Sequence, residues 1–285
     1  MIIISSDSTA DLGYLFKERD VHVLPLAVVL GGETFNDGVT VTPDDIYSFV
    51  DKTGTLPKTS AKSAEEHKEY FQAIRKNPDD TIIHFTISSG CSVTATNARM
   101  AAEEVGNVFV VDGLSLSTGT GLLVMYACDL RDSGKYSAQE IYDKVVERIP
   151  FVQASFYVDK MDYLHKGGRC SGLASFFATA LKIKPSLLLK DGKIVVGQKY
   201  RGNTAVVAEK YVNNIFDMFQ NPDPRRVFIT HTLVPQEIID KVKEIVKQRF
   251  TFAEVLETTA GSTITSHCGK GTLGVLFLND GEHAI

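Results

Sequence analysis

Apolar and polar positions along the first half of the chain predict strands and helices in turn. Apolar runs rich in β-branched residues at 2–4, 81–87 and 108–111 are typical of buried strands. The segment after residue 92 carries alanines, Met100 and Val105 with the spacing of one helical face. Because strand and helix alternate, we expect a largely parallel sheet with helices on both faces.

Helix starts in this half are marked by capping sequences. Residues 42–45 combine a threonine cap, a proline at the first helical position and two acids in the first turn. Residues 63–66 and 137–140 fit the capping box, in which a serine and a glutamate three positions later satisfy each other's backbone N–H groups. These signals predict helices that begin near residues 43, 64 and 138. Residues 21–30 are expected to form one strand, and residues 56–60 a loop that leads to the second of these helices.

Hairpin signals appear after residue 150, where the pattern changes. The turn at 190–193 separates strand-like segments at 186–189 and 194–198. The other elements expected here are helices at 173–183 (nearly all apolar), 203–218 and 235–249, and strands at 154–158, 227–230, 253–258 and 275–278. We predict an α/β protein of two domains, an N-terminal α/β domain at 1–150 and a C-terminal α+β domain with hairpins at 151–285.

Composition narrows the class of protein. The 285 residues are 44% hydrophobic and 23% charged, as in ordinary globular proteins. A net charge of −5 without a Lys/Arg run argues against a nucleic-acid partner. No apolar stretch reaches membrane-spanning length and no signal-peptide pattern follows Met1, so we expect a cytoplasmic protein and not an integral membrane protein. The cysteines form no C-x-x-C pair and are expected to be free thiols: Cys91, Cys128, Cys170 and Cys268.

The polar loop Ser88-Ser89-Gly90-Cys91-Ser92 follows a predicted strand and opens a predicted helix. Unpaired backbone N–H groups at such a position, with the helix dipole behind them, favour an anion. The serine hydroxyls add hydrogen-bond donors at the same place. The loop therefore indicates a seat for a carboxylate or a phosphate, with an ordinary N-cap formed by Ser92 as the alternative.

Other motifs in the sequence bear on catalysis and on cofactor or metal binding. Residues 269–274 match the dinucleotide-binding pattern G-x-G-x-x-G. A predicted strand follows them instead of the helix that this pattern requires, which excludes a nucleotide-binding loop. Ser92 with His267 as its base would suit a hydrolase, although the sequence lacks the hydrolase elbow and a clear third acid. The histidines are scattered and predict no metal site. His267 lies in a predicted glycine-rich loop as a solvated residue or a ligand donor, and Arg201 is by default a surface charge.

Taken together, the landmarks of this sequence resemble the DegV family. They occur in the family's order over essentially the whole chain: Ser6-Asp7-Ser8-Thr9-Ala10-Asp11, Gly31-Gly32-Glu33 with Asp37-Gly38, Thr59-Ser60, Ser88-Ser89-Gly90-Cys91-Ser92, Gly167-Gly168-Arg169 with Ser171-Gly172, Lys184-Pro185 with Asp191-Gly192, and His267-x-Gly269-x-Gly271-Thr272-Leu273-Gly274. The resemblance implies a two-domain α/β protein that binds one long-chain fatty acid between its domains. It also implies a non-catalytic role in bacterial phospholipid metabolism, in which the protein presents the carboxylate to a separate fatty acid kinase that makes acyl phosphate.

The resemblance also implies roles for individual residues. Thr59 and Ser92 would hydrogen-bond the carboxylate, with Ser60 nearby and His267 beside them. Arg201 matches a position implicated in phosphate or kinase interaction in some members. The chain departs from the common family pattern at Ala61, Lys62, Val93, Ala95 and Lys270.

The acyl tail is expected in an apolar channel around Phe176, Phe177 and Leu181, together with Phe156. Ordinary core packing is the other interpretation of the helix at 173–183. A tail of ~14 methylenes gains roughly 11 kcal/mol gross at about 0.8 kcal/mol each, so tail burial would dominate affinity.

We expect no metal and no cofactor besides the bound fatty acid. Two other functions stay open, a lipid-acting hydrolase or transferase that uses Ser92 and His267, and a carrier of another small anion such as a sugar phosphate.

Overall fold

The structure is a computed structural model that describes residues 1–159, 161–168 and 183–281. Its strands are β1 (Ile2–Asp7), β2 (Val21–Leu24), β3 (Ala27–Leu30), β4 (Glu33–Asn36), β5 (Lys58–Ser60), β6 (Thr81–Thr86), β7 (Val108–Asp112), β8 (Val152–Gln153), β9 (Ser155–Tyr157), β10 (Lys184–Lys190), β11 (Lys193–Tyr200), β12 (Arg226–Thr232), β13 (Glu254–Thr259) and β14 (Thr272–Leu278). Its α-helices are α1 (Leu15–Glu18), α2 (Pro43–Thr53), α3 (Ala64–Ile74), α4 (Thr94–Val105), α5 (Thr118–Ser133), α6 (Ala138–Arg148), α7 (Asp162–Lys166), α8 (Thr204–Met218), α9 (Gln236–Arg249) and α10 (Ser262–Cys268).

A four-stranded parallel sheet forms the centre of the N-terminal half, in the order β2-β1-β6-β7. Successive side chains of a strand point to opposite faces. Ile3 and Ile82 accordingly pack with α3 and α4 on one face, while Ile4 and Ile83 pack with α5 and α6 on the other. The predicted parallel sheet with helices on both faces is confirmed.

The three predicted helix starts are also confirmed, and all three carry capping boxes. The cap side chain and the acid three residues later exchange hydrogen bonds with each other's backbone at the start of α2, α3 and α6. Each box satisfies two N–H groups that a helix start would otherwise leave unpaired. These contacts lie within four residues, so the sequence alone could reveal them.

Two predictions for the early chain are wrong. Residues 21–30, expected as one strand, are divided into β2 and β3 at Pro25, which has no N–H group to donate to a sheet. β3 joins a separate antiparallel sheet of order β4-β3-β5. β5, which carries Thr59 and Ser60, was expected to be a loop and is instead a strand paired with β3.

A seven-stranded sheet organises the C-terminal half, in the order β11-β10-β9-β14-β12-β13 with β8 added beside β14. β12 and β13 are parallel and the other pairs are antiparallel. α8 and α9 cover one face, where Tyr211 and Ile239 pack against Ile229 and Val275. The predicted hairpin at residues 190–193 is confirmed as the β10–β11 turn. The helix predicted at 173–183 falls almost entirely outside the described residues.

α5 is packed between the two large sheets. Leu122 and Leu123 belong to a cluster that includes Phe85 of β6 and Phe228 of β12. Gly121 allows α5 to lie close to the turn at Ser8–Ala10, because a Cβ at this position would lie 2.8 Å from the carbonyl oxygen of Ala10. Among the described strands, β1–β7 pair only with one another, and β8–β14 pair only with one another. This pairing is consistent with a domain boundary near residue 150, which stays a prediction.

Candidate functional site

A cavity lies between residues from the first 150 positions and residues from the rest of the chain. The space between its walls is about 600 Å³, open mouth included. Its described lining is mainly apolar, with polar side chains from Thr59, Ser60, Ser92, Thr263 and His267 and thiols from Cys91 and Cys268. The apolar residues are Leu26, Ala61, Ile87, Leu116, Phe156, Leu164, Ile194 and Ile264. The structure therefore brings together five of the residues that the sequence put forward around the ligand: Thr59, Ser60, Ser92, Phe156 and His267.

Thr59 and His267 form the polar corner of this cavity. Thr59 Oγ1 and His267 Nε2 share a hydrogen bond of 2.8 Å across 208 positions of sequence. Thr59 lies on β5, directly opposite Val28 of β3, and His267 lies in the last turn of α10. When His267 Nε2 carries the ring proton and donates to Thr59, the threonine hydroxyl can donate its own proton to a ligand.

Ser92 lies on the same cavity just before α4. Its Oγ lies 2.8 Å from Thr94 Oγ1 and accepts a hydrogen bond of 3.3 Å from the Thr94 N–H. Thr94 is fully buried, whereas Ser92 is half-buried. With Thr94 donating its hydroxyl proton to Ser92, the proton of Ser92 is available to a ligand in the cavity.

The backbone of the loop at 88–92 does not form the anion seat that the sequence suggested. The Ser88 carbonyl accepts hydrogen bonds from the N–H groups of Cys91 and Ser92, at 2.9 and 3.1 Å. The Asp112 carboxylate accepts the N–H of Ser89 at 3.1 Å. The loop folds over its own carbonyl, so the Ser92 hydroxyl is the donor that it offers to the cavity.

His267 lies on a helix that the sequence analysis missed. His267 was expected within a glycine-rich loop, yet residues 262–268 form α10. Their serines, threonines and Ile264 have modest helix propensity, so local sequence gave little signal. The helix is stabilised by tertiary contacts, since its first N–H groups donate to carboxylates more than 200 residues earlier in the chain.

Asp11 and Asp37 are these carboxylates. Asp11 Oδ1 accepts the N–H of Gly261 at 2.8 Å, and Asp37 accepts those of Ser262 and Thr263 at 2.7 and 3.1 Å. Ser8 Oγ donates to Asp37 as well, at 2.9 Å. The motif at 6–11 and Asp37 therefore hold α10 in place beside β3 and β5.

Burial favours the protonated form of Asp7 and Asp11. Burial raises the pKa of Asp7 to about 6, against opposing hydrogen bonds from Thr9 and Ile87. Burial also raises the pKa of Asp11 well above its ordinary value, although Ser117 donates to it. A nearby Asp37 carboxylate adds to both increases.

The tip of the β10–β11 hairpin closes against the loop at 88–92. Ser88 Oγ donates a hydrogen bond of 2.6 Å to the carbonyl of Gly192. A Cβ on Gly90 would lie 2.3 Å from that same carbonyl oxygen, so the approach requires glycine. Ile194, two residues beyond the tip, lines the cavity, and the hairpin therefore supplies part of its wall.

A second cavity adjoins the first. It shares Leu116, Phe156, Ile264 and Cys268 with the first cavity and contains about 370 Å³ of space. Phe156, expected beside an acyl tail, lies on both cavities. Phe176, Phe177 and Leu181 lie outside the described residues.

Arg201 does not line either of these cavities in the described part of the chain. It is exposed and follows directly after β11. A role for Arg201 in contact with a phosphate or a protein partner stays a prediction.

Two kinds of feature are absent from the described residues. No three His, Cys, Asp or Glu side chains there are arranged to hold a metal ion. No described helix is both long and apolar enough to cross a membrane.

A sequence model of the DegV family, described as "Uncharacterised protein, DegV family", matches residues 1–280. The chain belongs to the DegV family. It is 31% identical over 282 residues to a DegV domain-containing protein of Clostridium acetobutylicum, covering 97% of this chain and 98% of that protein.

Other DegV family members are named for fatty acids. A Thermotoga maritima protein named "Fatty acid-binding protein" is 29% identical over 279 residues, covering 94% of each chain. A solved Thermus thermophilus structure, described as "Fatty Acid Binding of a DegV family Protein", has a TM-score of 0.87 and 28% identity, covering 98% of this chain and 99% of that one. The mixed α/β fold of the chain is thus that of DegV structures.

Proposed function

We propose that this DegV protein binds one long-chain fatty acid between its two halves. Thr59 and Ser92 donate hydrogen bonds to the carboxylate, His267 lies beside them, and Ser60 lies nearby at the rim. Hydrogen bonds to an ionised carboxylate are about twice as strong as neutral ones. The observation that carries the proposal is the convergence of these side chains at one end of an otherwise apolar cavity.

The direction of the ligand follows from burial. Ser60 is exposed and Ser92 half-buried, whereas Phe156 and Ile264 are 6% exposed and line both cavities. The carboxylate therefore lies toward the mouth and the tail extends inward. Tail burial supplies most of the affinity, and the hydroxyls fix the orientation. Relatives named as fatty acid-binding proteins support this assignment.

A carboxylate at the mouth remains within reach of a second protein. We infer that the protein is a non-catalytic carrier that presents the acid to a fatty acid kinase, which forms acyl phosphate. Arg201, exposed at the end of β11, is proposed as a contact to the phosphate or the kinase. Because such a kinase uses ATP, we place the protein in the bacterial cytoplasm.

The hydrolase alternative finds little support in the geometry. A serine nucleophile needs a base within hydrogen-bond reach. His267 Nε2 instead bonds Thr59, and Ser92 bonds Thr94. A sugar-phosphate carrier fits less well because the lining is mainly apolar.

The direct test is denaturing extraction of freshly purified protein, followed by mass spectrometry of the extract. We expect about one long-chain fatty acid per chain. Incubation of the loaded protein with a bacterial fatty acid kinase and ATP should then yield acyl phosphate. Recovery of a sugar phosphate, or failure of added hexadecanoic acid to bind lipid-free protein, would contradict the proposal.

A further inference from the structure

Two exposed apolar residues lie beside the loop at 88–92. Val93 directly follows this loop and is 63% exposed, and Leu114, shortly after β7, is 40% exposed. Asp112 Oδ1 accepts the backbone N–H groups of both Ser89 and Leu114, at 3.1 and 3.2 Å. Leu114 is therefore held next to the loop that supplies a proposed carboxylate donor.

Both apolar residues occupy backbone positions that favour other side chains. Val93 is the N-cap of α4 and makes no side-chain capping bond, although serine, threonine, asparagine and aspartate are the residues that stabilise such a position. Leu114 has φ +45°, a left-handed conformation that glycine and asparagine adopt at lower cost. Local stability explains neither side chain, and residues that break local rules in this way are typical of functional surfaces.

Two lysines face each other at the tip of the neighbouring hairpin. Lys190 and Lys193 are directly opposite in the last pair before the β10–β11 turn, an arrangement in which like charges repel. Both are exposed, and neither forms an ion pair with a residue that the structure describes, Asp191 of the turn included. Their positive charge is thus available to a partner, although the whole chain has a net charge of −5.

The apolar residues and the lysines border one another. A Cβ on Gly192 would lie 3.1 Å from Leu114 Cδ2, and a Cβ on Gly90 would lie 3.3 Å from Lys193 Cγ. The same loop and the same hairpin contribute to the lining of the ligand cavity. We use the name mouth-side surface for the residues Val93, Leu114, Lys190 and Lys193.

The position of the mouth-side surface determines which partner reaches it. A kinase that phosphorylates a carboxylate at the cavity mouth has to bring ATP there, and so has to cover the loop and the hairpin beside the mouth. Apolar residues together with a charged rim are the usual composition of a specific protein interface. Exposed lysines at that rim favour an acidic surface on the partner.

We propose that the mouth-side surface is the docking site for an acidic, partly apolar face of the fatty acid kinase. The proposal rests on the function proposed above. None of its four residues belongs to the proposed carboxylate site of Thr59 and Ser92. Recognition by the kinase and binding of the acid are therefore separable by substitution.

Steady-state kinetics of a bacterial fatty acid kinase, with the acid-loaded protein as its substrate, test the apolar part of the surface. We expect Val93→Ser/Leu114→Asn to raise the KM for the loaded protein about 10-fold and to leave the dissociation constant of hexadecanoic acid unchanged. Serine and asparagine suit the two backbone positions, so this variant should keep the melting temperature of the natural protein. Met218→Ser removes an exposed apolar side chain from the end of α8 and should not change the KM.

The same kinetics at low and high salt test the charged part. Lys190→Gln/Lys193→Gln should raise the KM about 3- to 10-fold at low salt and reduce its increase with salt, because salt screens contacts between exposed charges. Lys210→Gln/Lys247→Gln removes two exposed lysines of α8 and α9 and serves as the matched control.

An unchanged KM in either mouth-side variant would overturn the proposal. A higher KM accompanied by equally weakened binding of hexadecanoic acid would overturn it as well, since the substitution would then act on the cavity and not on docking. Failure of the kinase to phosphorylate acid held by the natural protein would instead count against the proposed function itself.

Discussion

Asp37 Oδ1 accepts a hydrogen bond of 2.7 Å from the backbone N–H of Ser262, 225 residues further along the chain. The same carboxylate also accepts the N–H of Thr263. It therefore connects the turn after β4 to the helix that carries His267. Asp37 positions the proposed carboxylate site without lining its cavity.

Asp37→Asn tests this positioning role. The amide nitrogen of asparagine cannot accept hydrogen bonds, so one group of the α10 start or Ser8 should lose its partner. We expect unfolding free energy to fall by about 1–3 kcal/mol in urea denaturation. Hexadecanoic acid should also bind more weakly, because His267 shifts. The exposed Asp79→Asn should change neither quantity, and a variant of Asp37 that behaves like Asp79→Asn would show that Asp37 does not position α10.

Gly192→Ala tests the contact between the hairpin tip and the loop at 88–92. Gly192 has φ +74°, and a Cβ there would lie 2.7 Å from Ser88 Oγ. Gly54 has φ +66° with nothing within 4 Å, so Gly54→Ala measures the backbone strain alone, about 1 kcal/mol. We expect Gly192→Ala to cost more stability than Gly54→Ala and to speed release of bound acid in stopped-flow measurements. Equal effects of the two substitutions would mean that the hairpin contact does not shape the cavity.

The pH dependence of stability should carry a signature of Asp7. Its pKa, raised by burial from 3.8 to about 6, makes the folded protein bind a proton more readily than the unfolded chain. The resulting stabilisation is complete below about pH 4 and is lost as pH rises through about 6. Asparagine at this position does not titrate. The natural protein is therefore stabilised relative to the Asp7→Asn variant at low pH. We expect this difference in unfolding free energy to fall by up to about 3 kcal/mol as the pH rises across this range.

Asp45 supplies the control for this titration. Hydrogen bonds from Thr42 lower the pKa of Asp45 in the folded protein. The ionised Asp45 therefore stabilises the fold at pH values above the ordinary pKa of an aspartate, and this stabilisation is lost only when the pH falls below that value. The difference in unfolding free energy between the natural protein and the Asp45→Asn variant should thus stay nearly constant from about pH 4.5 to 6.5. An equally flat difference for Asp7→Asn would show that its carboxyl is not protonated in this range.

The sequence predicted those features that depend on neighbouring residues. The caps at Thr42, Ser63 and Ser137 act within one helical turn, and the apolar runs of β1 and β6 report burial on both faces. The resemblance to a family added Thr59, Ser60, Ser92 and His267, which the fold brings to one cavity.

Features that depend on distant residues could not be predicted in this way. α10 exists because Asp11 and Asp37 accept its first N–H groups, and β5 is a strand because β3 lies beside it. The backbone of the loop at 88–92 is closed to an anion because Asp112 and the Ser88 carbonyl bind its N–H groups.

The central claim is that Thr59 and Ser92 hold a carboxylate at the mouth of an apolar cavity. The most direct measurement compares dissociation constants of hexadecanoic acid and hexadecanol, which share a tail and differ in head group. We expect the natural protein to prefer the acid at least about 10-fold, and a Thr59→Val/Ser92→Ala variant to lose that preference while binding the alcohol as before. Ser89→Ala, an exposed serine of the same loop, serves as the control and should keep the preference. A double variant that still prefers the acid by the natural margin would contradict the account.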